Sequence, residues 1–593
     1  MTIARLQKVT LCGLIDDKGS ILTALQQAGC VHVVPLREVG PLEPANAGAL
    51  RRGASAYRHL NEAPLQLRAW PKNRPMDIDA IVDAVLKNKD RLHEARDRRD
   101  FLAERIVRLR PFGDFSLPSD DVLRGLKLWF YTLPIRQRAA LRFLGLPWQV
   151  VGRDHGNLYV VLVSREEPPA SALPVARAHT GSQSLSALLE ELEKAEIEIE
   201  EAEAEWTELT RNRFVLGVRL AQAEDAEDLR AATHMTRDLD RVFAVHGWVA
   251  VSDTGRIQTL AEAQGLAIVV EDPEPGDSPP TLLEDPGMLA GSRGLTTFYM
   301  TPSYRSWDPS LIVFSSFCIF FAMILVDAGY ALVLGAVLAL LWRGMGRSAG
   351  GRQGRILLTI ILAVAFIYGA LAGSWFGVEP SNGGLLHRIA FIDAKDFKTM
   401  MRVSVITGVV QIALANAVVA WRSGSISGAI PNIGWIVTLI GGLEIWLSPA
   451  GIWYGTVAVG LAMVFIGTAG QQSAKNPFDW LLRVGAGFLA IAHGTKLFGD
   501  VLSYMRLFAL GLASVSLAAT FNTLATQIHG ALPGMGFLFA IVVLLFGHAI
   551  NIALGILGGV VHGLRLNYIE FFGWALSEEG YPFNAFARRR SVT

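Results

Sequence analysis

Two long heptad runs organise the polar first half of the chain. In residues 78–109 and 185–220, apolar positions alternate at spacings of three and four between charged flanks, the pattern of a coiled coil. The segments 126–133 and 157–164 between the runs have strand character. We therefore expect an antiparallel coiled-coil arm in which the chain turns back at a distal lobe. An ordinary dimerisation coiled coil is the alternative.

Short strand, helix and strand patterns stand on either side of these runs. They occupy residues 6–14, 18–28 and 31–36, and again 241–251, 254–264 and 266–271. The predicted fold is an α + β N-terminal half of two small α/β lobes joined by the arm. We assign its parts as a proximal lobe (1–75 and 226–275), arms (76–112 and 184–225), a distal lobe (113–183) and a linker (272–295).

The second half, residues 296–593, has the pattern of an all-α membrane domain. Its apolar segments cover residues 310–342, 356–378, 401–421, 429–447, 452–468, 484–527 and 535–572. The first segment would be about 50 Å long as one helix, enough for two short crossings, so we predict a reversal near residues 327–329. This gives eight helices, the last two long and tilted or bent.

The basic residues orient these crossings. Arg343, Arg347, Arg352 and Arg355 share one short loop, which the positive-inside rule places in the cytoplasm. Counting eight crossings then leaves both termini, Lys475 and residues 588–590 on the cytoplasmic side, with loops 379–398 and 528–534 outside. The N-terminus has no cleavable signal-peptide pattern.

Composition supports the division into two halves. The chain is 51% hydrophobic with zero formal net charge, yet only 29 of its 108 charged residues follow residue 300. The absence of a basic excess argues against nucleic acid as a partner. Cys12, Cys30 and Cys318 have no metal-ligand spacing, and we expect neither a metal nor a cofactor.

Two arginines lie within apolar segments of the membrane half. Arg506 and Arg565 would each cost at least about 2.5–3.5 kcal/mol near the middle of a bilayer, so such residues usually mark an ion path or a buried partner. Snorkelling near a helix end, or a structural ion pair, is the alternative.

Small and polar residues share the helix faces of these arginines. Gly499, Ser503, Ser514 and Thr520 lie on the face of Arg506, whereas His548, Asn551, Gly555 and His562 lie on the face of Arg565. Close helix packing would explain the glycines equally well. It does not explain the arginines, the histidines and the asparagine.

Motifs along nearly the whole chain resemble the membrane stator subunit of V-type and archaeal-type rotary ATPases (subunit a, or subunit I in prokaryotes). They include residues 247–249 (Gly-Trp-Val), 279–280 (Pro-Pro), 304–309 (Tyr-Arg-Ser-Trp-Asp-Pro), 327–330 (Asp-Ala-Gly-Tyr) and 373–377 (Gly-Ser-Trp-Phe-Gly). The most specific are 502–510 (Leu-Ser-Tyr-Met-Arg-Leu-Phe-Ala-Leu) and 564–566 (Leu-Arg-Leu). The compact size resembles the bacterial and archaeal branch, which implies a prokaryotic inner membrane.

The resemblance implies that Arg506 faces a rotating ring of proteolipid subunits, lowers the pKa of their ion-binding carboxylates and blocks leakage between two half-channels. Arg565 would assist, and Ser503, His548, Asn551, His562 and Glu444 are candidates for lining the half-channels. The soluble part would bind peripheral stalks, with a central-stalk adaptor and nucleotide-binding subunits as further partners. The chain would thereby couple ATP hydrolysis or synthesis to proton or sodium transport. This mechanism requires that Arg506 is not neutralised by an acid of its own chain.

Two positions depart from the family pattern. Gly555 replaces the acidic residue that some relatives carry ten positions before the second arginine, and Ser514 replaces a histidine found in some eukaryotic members. The residues of a proton wire are therefore open.

Two other function classes compete with the stator hypothesis. A self-contained transporter or channel would be expected to show an inverted repeat and would have no use for a coiled-coil arm. A structural membrane tether would not need arginines within the membrane. The chain has no Gly-x-x-x-x-Gly-Lys-Ser/Thr motif, so we expect no ATP-hydrolysing site on it and assign nucleotide chemistry to partner subunits.

Overall fold

The protein is described by a computed structural model. It describes residues 3–36, 47–69, 77–116, 123–169, 173–178, 181, 183–284, 290–380, 385–393, 396–471, 477–531, 534–576 and 578–589. Lys475 and residue 590, counted above as cytoplasmic, lie outside these ranges. The chain divides into two compact units, Thr10–Gly247 with Arg256–Ile268 and Ala585–Thr593, and Met1–Val9 with Trp248–Gly255 and Val269–Asn584.

The N-terminal half combines strands with long helices, which confirms its mixed α/β class. Its helices are α1 (Lys18–Ala28), α2 (Ala47–Glu62), α3 (Ile78–Leu109), α4 (Leu185–Leu209), α5 (Arg213–Met235) and α6 (Thr254–Ala263). Its strands are β1 (Leu6–Leu14), β2 (Val31–Val34), β3 (Lys127–Pro134), β4 (Trp148–Arg153), β5 (Asn157–Ser164), β6 (Arg177–Ala178), β7 (Arg237–Leu239), β8 (Val242–Ala250) and β9 (Ala267–Glu271).

These strands form two sheets. One has the order β2-β8-β1-β9 with β7 beside β8, and the other has the order β4-β5-β3-β6. In the second sheet β3 and β5 are antiparallel, with Phe130 opposite Val161. Alternate residues of these two strands, such as Leu133 and Val160, are buried in the core that the sheet forms with its neighbouring turns.

Helices α3 and α4 form the predicted antiparallel arm. Ion pairs join Arg91 to Glu198 and Arg98 to Glu191, so residue numbers fall on one helix as they rise on the other. The heptad positions Leu92, Ala95, Leu102 and Leu188 are buried between the helices. The apolar repeat thus pairs two segments of one chain.

The second heptad run does not continue as one helix, contrary to the prediction. A short 3₁₀ turn, Thr210–Asn212, separates α4 from α5, and α5 packs against α1 and α2. Helix α2 falls in a part of the proximal lobe for which no helix was predicted. At this end of the arm α2 covers the apolar residues of α5, as α3 covers those of α4. The apolar repeat of the second run therefore continues, although the helix that packs against it changes from α3 to α2.

A buried polar contact joins α2 to the arm. His59 stacks on Trp206 with ring centroids 4.5 Å apart, and Asn88 donates a hydrogen bond to the carbonyl of Ala202. Burial lowers the pKa of His59, because the charged imidazole loses its hydration there. Asn88 occupies a heptad position, where a polar residue specifies helix register at some cost in stability.

The second half is helical, which confirms the predicted class, apart from two residue pairs, β10 (Thr301–Pro302) and β11 (Glu579–Gly580), which form an antiparallel ladder. Its helices are α7 (Ala290–Thr297), α8 (Ser310–Leu325), α9 (Ala328–Met345), α10 (Ala349–Leu371), α11 (Leu385–Ile389), α12 (Phe397–Arg422), α13 (Ile426–Leu447), α14 (Gly451–Gln471), α15 (Pro477–Ala492), α16 (Gly494–Ser503), α17 (Met505–Ala531), α18 (Gly536–Arg565) and α19 (Phe572–Ala575).

Seven helical segments within the described residues are long and apolar enough to cross a membrane, and α8 is a shorter apolar helix. Together they match the eight predicted segments. The last two extend over 54 and 40 residues, longer than a perpendicular crossing requires. The penultimate segment is interrupted at His493 and Tyr504, where α15, α16 and α17 meet.

The helix breaks at Val326 and Asp327, as predicted from the length of the first apolar segment. Val326 has a φ of 54°, a left-handed conformation that ends α8. Beyond the break, α9 and α10 run antiparallel: Ala328 meets Gly369 at one end, and Trp342 meets Arg355 at the other. Helix α10 also packs along α8. The chain therefore reverses at this point.

Asp327 holds the reversal together. Its carboxylate accepts hydrogen bonds from Tyr330 N (3.0 Å), Ser374 Oγ (2.7 Å), Phe376 N (2.9 Å) and Gly377 N (2.9 Å), and the residue is 2% exposed. It caps α9 and fixes the loop that follows α10.

We predict that Asp327→Ala destabilises the membrane unit by about 3 kcal/mol or more, because buried donors lose a charged acceptor. Asp396 caps α12 from a partly exposed position, so Asp396→Ala should cost only about 1 kcal/mol. Thermal unfolding of the detergent-solubilised chain measures both. Equal shifts of the unfolding temperature would contradict the structural role of Asp327.

Candidate functional site

The two predicted arginines belong to an antiparallel helix pair, α17 and α18. Ser514 of α17 meets Asn551 of α18, and Phe521 meets Gly547. Arg506 is in the first turn of α17, and Arg565 ends α18. Antiparallel packing therefore brings the two arginines to the same end of the pair.

An acidic residue of the same chain lies beside Arg506, contrary to our expectation. Glu570 Oε1 is 4.0 Å from Arg506 Nη2, and the side chains are 3% and 23% exposed. This separation exceeds a hydrogen bond. Arg506 Nη1 and Glu570 Oε2 are buried without a hydrogen-bond partner among the described residues. Glu570 therefore compensates the arginine charge only in part.

The position of Glu570 depends on irregular helix geometry. After Arg565 the chain forms a π-helical segment, Leu566–Phe571, before it returns to α-helix. Wider turns of this kind are uncommon and often occur at functional sites. Glu570 was not among the predicted site residues, although an acid five residues after Arg565 in an apolar segment was a signal for it.

A buried hydrogen-bond chain fixes this segment relative to the break before α17. Asn567 Oδ1 accepts from Ser316 Oγ (2.6 Å) and Gln411 Nε2 (2.8 Å), and Tyr504 OH donates to Gln411 Oε1 (3.2 Å). Tyr504 stands two residues before Arg506 and is fully buried. These hydrogen bonds thus hold the segment that carries Glu570 in a fixed position relative to the start of α17, which carries Arg506.

His562 and Ser503 belong to the same polar cluster as Arg506. His562 Nδ1 is buried without a hydrogen-bond partner among the described atoms, and the positive charges of Arg506 and Arg565 act on this imidazole. Ser503 lies one turn before Arg506, and its hydroxyl donates to the carbonyl of Gly499 at 3.1 Å. Arg565 is exposed. We call Ser503, Arg506, His562, Arg565 and Glu570 the arginine cluster.

A second polar cluster surrounds the other two candidates, His548 and Asn551. Tyr330 OH lies 2.7 Å from His548 Nδ1 and accepts from Asn551 Nδ2 at 3.0 Å. Asn522 Oδ1 is 3.2 Å from His548 Nε2. We call Tyr330, Asn522, His548 and Asn551 the tyrosine cluster. Eleven residues of α18 separate Asn551 from His562, a distance of about 17 Å along the helix.

Glu444 belongs to neither cluster. It lies on α13, which packs on α12 and α14, and its carboxylate makes no hydrogen bond or ion pair with any described residue. The structure therefore places four of the five lining candidates in the two clusters and leaves Glu444 apart.

Close packing explains the glycines of α18. An added Cβ would lie 2.2 Å from the Phe521 ring at Gly547, 3.0 Å from Leu325 at Gly555 and 2.6 Å from Phe321 at Gly559. These positions let α17 and α8 approach the helix backbone. Packing, the alternative stated above, thus explains the glycines of α18, whereas a Cβ at Gly499 on the Arg506 face would meet no atom within 4 Å.

One face of α17 remains uncovered by the described chain. Ala509, Ala513, Ser516 and Thr520 are exposed, and all lie on the Arg506 side of the helix. The exposed residues of α18 are mostly large and apolar, such as Leu545, Phe546, Leu554 and Leu557. Small residues at an exposed face within a membrane favour contact with another helix, whereas large apolar ones suit lipid.

Comparisons with known proteins agree with the resemblance. No family model matches. The chain is 25% identical to V-type ATP synthase subunit I of Borreliella burgdorferi over 606 residues, 96% of each chain. It is 30% identical to A-type ATP synthase subunit I of Pyrococcus horikoshii over 373 residues, 60% of this chain and 55% of the relative.

A solved cytoplasmic N-terminal domain of subunit I is also similar, with 20% identity and a TM-score of 0.25 over 44% of this chain and 99% of that chain. The relatives confirm the resemblance: the chain is a homologue of subunit I over most of its length. It is accordingly a multi-pass membrane protein with a cytoplasmic N-terminal domain.

We predict that Arg506 and Glu570 stabilise the fold as a pair. In a double-mutant cycle, Arg506→Ala and Glu570→Ala should show a coupling of about 1–3 kcal/mol, because each single change leaves a buried charge without its partner. Thermal unfolding of the four proteins in detergent measures it. Asp500, which accepts a hydrogen bond from Trp574 Nε1, provides the control. The losses of stability caused by Asp500→Ala and Arg506→Ala should be additive. Additivity for Glu570 as well would contradict the pairing.

Proposed function

We propose that this subunit I homologue is the membrane stator of a rotary V/A-type ATPase and carries the ion half-channels against a proteolipid ring. The observation that carries the proposal is Arg506 on the uncovered, small-residue face of α17. Such a face accommodates a moving helix of a neighbouring subunit. A guanidinium there favours the ionised form of a carboxylate on that helix, so the carboxylate releases its proton or sodium ion.

The two polar clusters support two half-channels. They are separated along α18 by about 17 Å, roughly half of the ~30 Å hydrocarbon core. The tyrosine cluster would serve the outer half-channel, since α18 begins at the outer loop in the predicted topology. The arginine cluster would serve the cytoplasmic one. Arg506, the fixed cation of the arginine cluster, opposes direct leakage between the two half-channels, because a like charge is repelled strongly in low dielectric.

Glu570 has a place in this mechanism. An arginine without any counter-charge would be costly in an assembled membrane, and a tight ion pair would leave it unable to attract another carboxylate. A separation of 4.0 Å with unpaired atoms on both sides is intermediate. We infer that Glu570 positions Arg506 until a ring carboxylate arrives, and that Arg506 then interacts with this carboxylate in place of Glu570.

The C-terminal tail supports a cytoplasmic C-terminus. Phe586 N donates to Val31 O at 2.7 Å, and Arg588 N donates to Gln26 O at 3.0 Å. Arg589 pairs with Glu224. The tail thus rests on the N-terminal domain, which is cytoplasmic. We further propose that the lobes and the coiled-coil arm bind peripheral stalks and hold the subunit still.

We predict that Arg506→Ala abolishes ATP-driven ion uptake into vesicles that contain the assembled complex, because the ring carboxylate would no longer release its ion. Assembly, measured by co-purification of the partner subunits, should be unchanged. Arg402, an exposed arginine of α12, provides the matched control, and Arg402→Ala should pump normally. Normal uptake by Arg506→Ala would refute the mechanism.

For Arg565→Ala we expect slower ion uptake but not its loss. Arg565 is exposed and makes no ion pair with a described residue, so its charge adds to the field at the arginine cluster without forming part of its contacts. A drop of about tenfold corresponds to ~1.4 kcal/mol of transition-state stabilisation. Unchanged uptake would reduce Arg565 to a helix-end anchor.

A further inference from the structure

A groove between α9 and α10 lies outside both polar clusters. It encloses about 420 Å³ and is lined mainly by apolar residues, among them Gly335, Ala339 and Trp342 from α9 and Leu362 and Phe366 from α10. Its one hydroxyl group, on Thr359, is already bonded to the carbonyl of Arg355 at 2.7 Å. The walls are therefore almost entirely apolar.

The length of the groove matches one leaflet of a bilayer. Its lining on α9 extends from Ala331 to Trp342, a rise of about 17 Å. Half of the ~30 Å hydrocarbon core is about 15 Å. A single acyl chain inserted from one surface would fill this length.

The segment around the turn that connects α9 to α10, at one end of the groove, carries four arginines. Arg343, Arg347, Arg352 and Arg355 occur within 13 residues that contain no acid. Arg355 stacks over Trp342, with its guanidinium carbon 4.7 Å from the ring centroid, and Trp342 is part of the groove wall. The contact between Arg355 and Trp342 thus places a positive charge at the wall of the apolar groove.

Arg355 also has unused hydrogen-bonding capacity. Its Nε is buried without a partner among the described residues, while Nη1 makes only a long contact of 3.5 Å to Trp342 O. A buried guanidinium N–H usually finds an acceptor, and a phosphate oxygen is the acceptor that suits a guanidinium best.

We propose that this groove binds one anionic glycerophospholipid, with an acyl chain between α9 and α10 and its phosphate at Arg355. Basic pockets between membrane helices on the cytoplasmic side are typical sites for anionic headgroups. The other arginines account for a preference for a net negative headgroup over a zwitterionic one. The lipid would occupy the groove that the packed pair of α9 and α10 leaves open along its surface.

Native mass spectrometry of the full-length chain in uncharged detergent tests the proposal, with phosphatidylglycerol and phosphatidylcholine added at equal concentrations. We expect one phosphatidylglycerol to be retained in preference. Arg355→Gln should weaken its binding about fivefold, the usual contribution of one basic residue at a membrane surface. Arg402→Gln, a change at an exposed arginine outside the groove, should bind as the unmodified chain does.

A second variant tests the groove itself. A Cβ at Gly335 meets no atom within 4 Å, so Gly335→Phe fills the groove without a backbone clash and should abolish retention. Gly344 is equally open and is not part of the lining, so Gly344→Phe is its control. Equal retention of both lipids, or unchanged phosphatidylglycerol binding in Arg355→Gln, overturns the proposal. If Gly335→Phe does not fold, Arg355→Gln decides alone.

Discussion

The structure depends on how a permanent positive charge is kept inside an apolar helix bundle. Arg506 cannot lose its proton and its side chain is only 23% exposed, so neighbours must compensate the cost of burying its charge. Glu570, 4.0 Å away, compensates part of the charge of Arg506. The uncovered face of α17 leaves the remaining charge accessible to a partner. A complete ion pair would stabilise the isolated chain better. The partial one is consistent with a residue that must interact with a group outside its own chain.

Several elements exist to hold this partial pair. The π-helical segment sets the direction of Glu570, and the hydrogen bonds among Tyr504, Gln411 and Asn567 fix the break before α17. The glycines of α18 then allow α8 and α17 to pack within contact distance. Together they position two side chains from segments that are distant in sequence.

The sequence predicted these features unequally. Heptad spacing predicted the arm, and the length of the first apolar segment predicted the reversal at Asp327, because both follow from simple periodicity and the thickness of a bilayer. It could not predict the partner of Arg506, since a π-helical turn changes which residues share a face and leaves no periodic signal. The interruption at Thr210–Asn212 was missed for a similar reason: the apolar repeat continues while α2 replaces α3 as the packing partner.

The stripe of small and polar residues had two possible explanations, and both apply at different positions. On α18 the glycines face α17 and α8, so packing explains them, and Asn551 on the same face bonds Tyr330 and Ser514 inside the bundle. On α17, Ala509, Ala513, Ser516 and Thr520 on the side of Arg506 are exposed. Only a face of the second kind is open to another subunit. In a self-contained channel, the polar faces of the helices would all turn toward one another. The feature that distinguishes a stator from such a channel is therefore the arginine on the uncovered face, and not the polarity of both helices.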